Sequence, residues 1–117
     1  MNQPQHETWQ YVIVWEFEVW AGKEEHFEVR YGPEGTWAQL FRHDDAYIGT
    51  ELVRDAGKRN RYLTLDFWIS RERYEAFREQ NHLEYIAVDQ ECEDLTHSER
   101  EIGGFVRAIS PPRNTYL

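Results

Sequence analysis

The 117 residues fit one domain, large enough to bury a core and small enough to gain from a partner. Thirteen basic side chains against 22 acidic ones give a formal net charge of −9, which repels phosphate backbones and anionic lipid and argues against nucleic-acid and membrane partners. The single cysteine, Cys92, allows neither an internal disulfide nor a cysteine-based zinc cluster, and its neighbours Glu91, Glu93 and Asp94 disfavour a reactive thiolate.

Residues 1–10 read as a loose polar tail containing Pro4. The start lacks a basic residue and an apolar stretch, so no signal peptide is expected. No apolar run reaches the ~18 residues of a membrane span, and a cytoplasmic protein is the expectation. One domain is expected over 11–109, with an extended tail at 110–117.

The segment Tyr11 to Trp20 alternates as a strand, with Ile13, Trp15, Phe17 and Val19 on one face and Val12, Val14, Glu16 and Glu18 on the other. Ala21-Gly22 ends it. A helix is predicted from Lys23, with Phe27 and Tyr31 at i, i+4 spacing. Gly32-Pro33-Glu34-Gly35 cannot lie in a helix interior, yet Trp37, Leu40 and Phe41 form a second apolar stripe. A broken helix and two short helices around a turn both fit.

Strands are predicted over Ala46 to Arg54 and Arg61 to Ile69, joined by the loop Asp55-Ala56-Gly57-Lys58 as an antiparallel hairpin. Ser70 caps a helix carrying Tyr74 and Phe77, with a restart near His82 and a stripe through Tyr85, Val88, Cys92 and Leu95. Thr96-His97-Ser98-Glu99 has capping-box spacing and predicts a further short helical turn. Gly103-Gly104 would stop that turn, Phe105 to Ile109 would form the last strand, and Pro111-Pro112 would end it.

The order β-α-β-β-α-β predicts an α+β, ferredoxin-like domain with a four-stranded antiparallel sheet and both helical segments on one face. The second face reads apolar as well, since Val12 and Val14 oppose the Ile13, Trp15 and Phe17 face of the first strand, and on the third Tyr62 and Trp68 oppose Leu63, Leu65 and Phe67. Burying each large apolar side chain is worth about 1.5–3 kcal/mol, so a homodimer with facing sheets is expected. The aromatic content, 15%, points the same way.

Taken together, VIVWEFEV, AGKEEHFEVRYGPEGTWAQLFR, YIGTELVRD, RYLTLDFWISRERYEAF and HSEREIGGF resemble the antibiotic biosynthesis monooxygenase-like family of dimeric α/β barrels, roughly from Tyr11 to Phe105. The resemblance implies a barrel completed by two copies. The family includes cofactor-independent monooxygenases that convert anthrone-type aromatics to quinones, haem-degrading oxygenases, autoinducer-processing proteins and members with no known reaction. In the quinone-forming members a tryptophan ending the third strand and a tyrosine six residues later line the cavity, and Trp68 and Tyr74 match them. Thr64 stands where those members carry asparagine, and their second-helix arginine has no match near Val88. The haem-degrading members' first-strand asparagine falls at Trp15 and their haem-ligating histidine at about Arg78, with His82 one turn on, so haem degradation ranks lower.

Oxidation of an electron-rich aromatic by dioxygen without a cofactor needs a base, a dry slot, and donors for the resulting anion. Asp66 and His82 are the candidate bases and Tyr74 the donor, giving Asp66, Tyr74 and His82 as candidate catalytic residues. Trp68, Thr64 and Trp15 are the candidate ligand-binding residues, and Thr64, Asp66 and Trp68 share one strand face. Alternatives stand beside each: Trp68 and Tyr74 as packing residues, and Asp66 as a cap or the partner of Arg54 or Arg61. Glu16 and Glu18 read either as a pocket pair or as solvated charges. His26 and His43 read as surface residues, and His6 and His97 as tail and loop. No histidine pair has ligand spacing, so neither metal nor cofactor is expected. The leading expectation is a homodimeric cofactor-independent monooxygenase acting on a small planar aromatic. The alternative is a non-catalytic dimeric module of the same fold, whose cavity would be too small for a two-ring ligand.

Overall fold

The computed structural model describes residues 9–110. The expected tails at 1–8 and 111–117, including His6 and Pro111-Pro112, lie outside the described residues. Eight elements follow in order: β1 (Tyr11–Val19), α1 (Glu24–Tyr31), α2 (Thr36–Phe41), β2 (Tyr47–Arg54), β3 (Arg61–Trp68), α3 (Arg71–Gln80), α4 (His82–Cys92) and β4 (Thr96–Val106). The strands form one antiparallel sheet in the order β2-β3-β1-β4, the ferredoxin-like α+β arrangement. The sheet is open within one chain.

The interrupted helix resolves into two short helices. Gly35 sits so close to the end of α1 that a Cβ there would collide with the Val29 and Arg30 carbonyls, which lets α2 start directly against α1. Ser70 caps α3 as expected, its Oγ accepting from the Arg73 amide at 3.1 Å. Asn81 separates α3 from α4, its Nδ2 donating to the Phe77 carbonyl at 3.0 Å.

The C-terminal part of the domain differs from expectation. Thr96 to Glu99 form no helical turn but the start of the 11-residue β4, and His97 lies in that strand rather than in a loop. The cause is tertiary: β4 pairs with β1 from Val19↔Thr96 to Tyr11↔Val106, satisfying far more backbone groups than a capped turn would. Gly103 and Gly104 lie inside this strand, opposite Val14 and Ile13, and the strand stops at Val106 rather than running to Ile109. A register shift between Val14 and Trp15 leaves Ile102 as a bulge residue. Trp9 and Gln10 are tied to the sheet rather than loose. Trp9 packs on Phe67 at 5.1 Å, Gln10 N donates to Trp68 O, and Arg107 N donates to Gln10 O.

One sheet face carries Ile13, Trp15, Phe17 and Val19 of β1 with Tyr62, Thr64, Asp66 and Trp68 of β3, in paired register, and the helices cover it. The opposite face is divided. Its apolar half holds Val12, Val14, Leu63, Leu65 and Phe67, while its polar half centres on Glu16, which takes Arg100 at 2.7 Å and Arg61 on its other oxygen. Glu16 and Glu18 therefore form no pocket pair. They belong to ion pairs on the face away from the helices, Glu18 with Lys58 at 3.0 Å.

Candidate active site

Between the sheet and the helices lies a cavity of about 920 Å³. Ile13, Trp15 and Phe17 of β1 and Thr64 and Asp66 of β3 form its floor, Trp37 and Phe41 of α2 one wall, and Tyr74, Arg78 and Tyr85 of α3 and α4 the other. Exposed carboxylates, among them Glu75, Glu79, Asp89 and Glu101, stand at the rim. Sites for drug-sized ligands span about 300–1,000 Å³, so a ligand of two or three fused rings fits.

Asp66 is the buried acid of the floor. Its Oδ1 accepts a 2.6 Å hydrogen bond from Thr50 Oγ1, and the Tyr47 hydroxyl lies 2.5 Å from the same Thr50 oxygen. Burial drives the Asp66 carboxyl up from its ordinary 3.8 to about 7, and the Thr50 bond works against that rise. Neither candidate arginine pairs with it, because Arg61 is held by Glu16 and Asp55 and Arg54 lies beside Glu28. Burial also pushes the Tyr47 hydroxyl up to about 12, so it stays a neutral donor toward Thr50.

Tyr74 is buried on the wall, 5.7 Å from the Tyr11 ring and 5.3 Å from Trp68. Its hydroxyl accepts from Arg78 Nη1 at 2.8 Å. The Arg78 guanidinium lies 4.0 Å over the Tyr85 ring, a cation–π contact. Tyr11 fits beside Tyr74 because β4 carries a glycine there: a Cβ at Gly104 would overlap the Tyr11 hydroxyl.

The predicted site residues divide into three groups. Asp66, Thr64, Trp15 and Tyr74 meet on the cavity, with Trp15 directly across the sheet from Thr64. His82 opens α4 at the exposed rim, away from the floor. Trp68 is fully buried and off the cavity surface, ringed by Phe41, Tyr47, Tyr74 and Phe77 at 5.2–5.6 Å. Where β3 ends, α2 and α3 close over it, so Trp68 backs the wall and Tyr74 fronts it.

Arg78, Tyr85 and Trp37 also shape the cavity, and the Tyr47–Thr50 pair serves Asp66, none of which the residue patterns had singled out for chemistry. The one available signal was the i, i+4 step from Tyr74 to Arg78. Cys92 is buried and its thiol is raised mainly by that burial, with the expected push from acidic neighbours a lesser cause, supplied by Glu91. Among the described residues, no group of three or more His, Cys, Asp or Glu is placed to hold a metal ion, and no helix is long and apolar enough to cross a membrane.

A four-stranded sheet with helices on one face defines a ferredoxin-like α+β domain, with an aromatic cavity between the two layers. The chain belongs to the antibiotic biosynthesis monooxygenase family, whose sequence model matches residues 10–87. No curated protein matches it in sequence. Its fold is shared with SnoaB, a cofactor-independent oxygenase from Streptomyces nogalater, at a TM-score of 0.69 and 17% identity over 90% of this chain and 99% of that one. A dimeric ferredoxin-like protein from an uncultured marine organism superposes at 0.67 with 13% identity, covering 93% and 96%. PA3566 from Pseudomonas aeruginosa superposes at 0.61 with 13% identity, covering 89% and 99%.

Proposed function

We propose that this protein oxidises a small planar phenol- or anthrone-type aromatic with dioxygen in the cavity, without a cofactor. One observation carries the reading: a buried carboxyl, Asp66, whose pKa of about 7 suits a general base, on the floor of an aromatic cavity. The Asp66 carboxylate takes the acidic proton of the ligand. The electron-rich anion reduces dioxygen and forms a carbon–oxygen bond at the ring methylene, giving a peroxide. Loss of water then leaves the carbonyl, so a CH2 group and one dioxygen become a C=O group and one water. Trp15, Phe17, Trp37 and Phe41 keep the space apolar, and the Tyr74 hydroxyl donates to the anion. The likeness to a cofactor-independent oxygenase supports the reaction class.

The same reading includes a homodimer. The apolar half of the outer sheet face suits a second copy, and two such sheets face to face complete an α/β barrel. The dimeric relative of the same fold supports this. The cavity volume favours a ligand site over a module that only assembles.

Metal-free protein incubated with anthrone- and naphthol-type compounds should consume oxygen and form quinone, and the ligand should quench tryptophan fluorescence. Neither uptake nor quenching with any of these compounds would remove the proposal.

A further inference from the structure

Arg78 is a half-buried guanidinium on the wall of an aromatic cavity, and among the described residues no carboxylate lies within ion-pair distance of it. The other cavity-lining arginine, Arg71, is committed to Glu75 at 3.0 Å on the exposed side of α3. Arg78 instead holds the Tyr74 hydroxyl at 2.8 Å and stacks at 4.0 Å on Tyr85. Tyr74 accepts that bond with its oxygen, so its own proton remains to be donated into the cavity. Asp66 lies on the floor of the same space, and the Glu75, Glu79, Asp89 and Glu101 carboxylates stand at its mouth.

We propose that Arg78, together with the Tyr74 hydroxyl it positions, is the anion-stabilising end of this cavity, so that the site admits its aromatic ligand as the neutral phenol and makes it a stronger acid once bound. The acidic mouth disfavours a ligand that arrives charged. The interior cation favours a charge created inside, where solvent screens it little. The titratable and charged groups that line the cavity with Arg78 include Tyr74, Glu75 and Glu79 on its own helix, Tyr85, His82 and Asp89 on α4, Glu99 and Glu101 on β4, and Asp66 on β3. Burial raises the Tyr74 and Tyr85 hydroxyls, which therefore stay neutral and place no competing anion against the guanidinium.

The need for such a group follows from the proton transfer itself. An ordinary phenol ionises near 10, and a base with a pKa of about 7 takes its proton with an equilibrium about a thousandfold unfavourable. A cation within about 4–6 Å lowers an acid by about one to three units, which recovers tenfold or more of that deficit.

The inference rests on reading the cavity as a phenol site and not on turnover, so its test is a binding titration. The probe is a nitronaphthol indicator, whose phenol and phenolate absorb at different wavelengths and whose electron-poor ring resists oxidation. Tryptophan quenching reports binding, and absorbance against pH reports the acidity of the bound probe. In wild-type protein the bound indicator should ionise about one unit or more below the free one. Arg78→Lys should keep most of that shift, and Arg78→Gln should abolish it while binding persists. Arg78→Met, which keeps an apolar stem over Tyr85, replaces the glutamine variant if that variant fails to fold by circular dichroism. An unshifted indicator in wild-type protein, a shift that survives in the neutral variants, or no binding to wild-type protein would each overturn the inference. Missing oxygen uptake would count against the oxygenase reading alone.

Discussion

Thr50 Oγ1 donates to Asp66 Oδ1 over 2.6 Å, across the β2–β3 pairing that sets the two residues directly opposite each other. The bond joins an edge strand to the cavity floor and gives a buried acid one fixed donor. Because it favours the carboxylate, it is the brake on a pKa that burial alone would drive higher. Thr50→Val keeps the shape and removes the donor. Hydrogen bonds to charged groups are worth about 1.5–3 kcal/mol, so the variant should move the Asp66 pKa up by about one to two units. The pH dependence of kcat/KM for oxygen uptake checks this: the limb that rises as Asp66 loses its proton should shift to higher pH, and an unmoved limb would separate Thr50 from the base.

Asp66 also sets a pH dependence of stability. Its folded pKa, about 7, lies above the ordinary 3.8, so between those values the folded chain keeps a proton that the unfolded chain has lost. The contribution is fully present below 3.8 and disappears as pH rises through about 7, and the difference corresponds to at most about 4 kcal/mol. Asp66→Asn should lack this loss and gain stability over wild type toward neutral pH. Denaturant unfolding of both proteins across that range measures it, and parallel curves would refute it.

Tyr74→Phe keeps the ring packed on Trp68 and Tyr11 while deleting the hydroxyl held by Arg78. The fold should survive with little change in melting temperature. Turnover should fall about a hundredfold, the scale of losing one donor to a developing anion. Steady-state kcat beside a thermal melt separates the two effects.

Trp68 has the opposite profile. Fully buried and off the cavity surface, it should cost about 3–5 kcal/mol when cut to alanine, as large core aromatics do. Trp68→Phe should bind an aromatic ligand within a few-fold of wild type, because Tyr74 and not Trp68 fronts the cavity. Urea unfolding and fluorescence titration read the two quantities separately.

On the outer face, Leu65→Glu places a charge in the apolar half of the sheet beside Val12 and Val14. Sedimentation should find wild-type dimers and a monomeric variant with an unchanged far-ultraviolet spectrum. A wild-type monomer at micromolar concentration would remove the barrel from the proposed function.

The strands β1 and β3 could be read from residue order alone because their alternation is long and sets one face against the other. Ser70 could be read because a serine before an amphipathic helix has one favourable use. β4 could not: Thr96 to Glu99 satisfies a local capping rule, and only pairing with β1, some eighty residues earlier, overrides it. The site divides in the same way. Thr64 and Asp66 fall on one face by strand period, and Tyr74 is implied by the family resemblance, but which of two neighbouring aromatics fronts a cavity depends on how α2 and α3 close. Arg78 carried no role of its own in the residue pattern, since nothing local shows that Tyr85, beyond the Asn81 break, returns to lie beneath it.

Oxygen consumption by metal-free protein with an anthrone substrate, compared between wild type and Asp66→Asn, tests the proposed reaction most directly. Wild-type protein should consume one dioxygen for each quinone formed, and the asparagine variant should be slower by about a hundredfold or more. Equal rates in the two proteins, or no protein-dependent uptake in wild type, would contradict Asp66-driven oxygenation in this cavity.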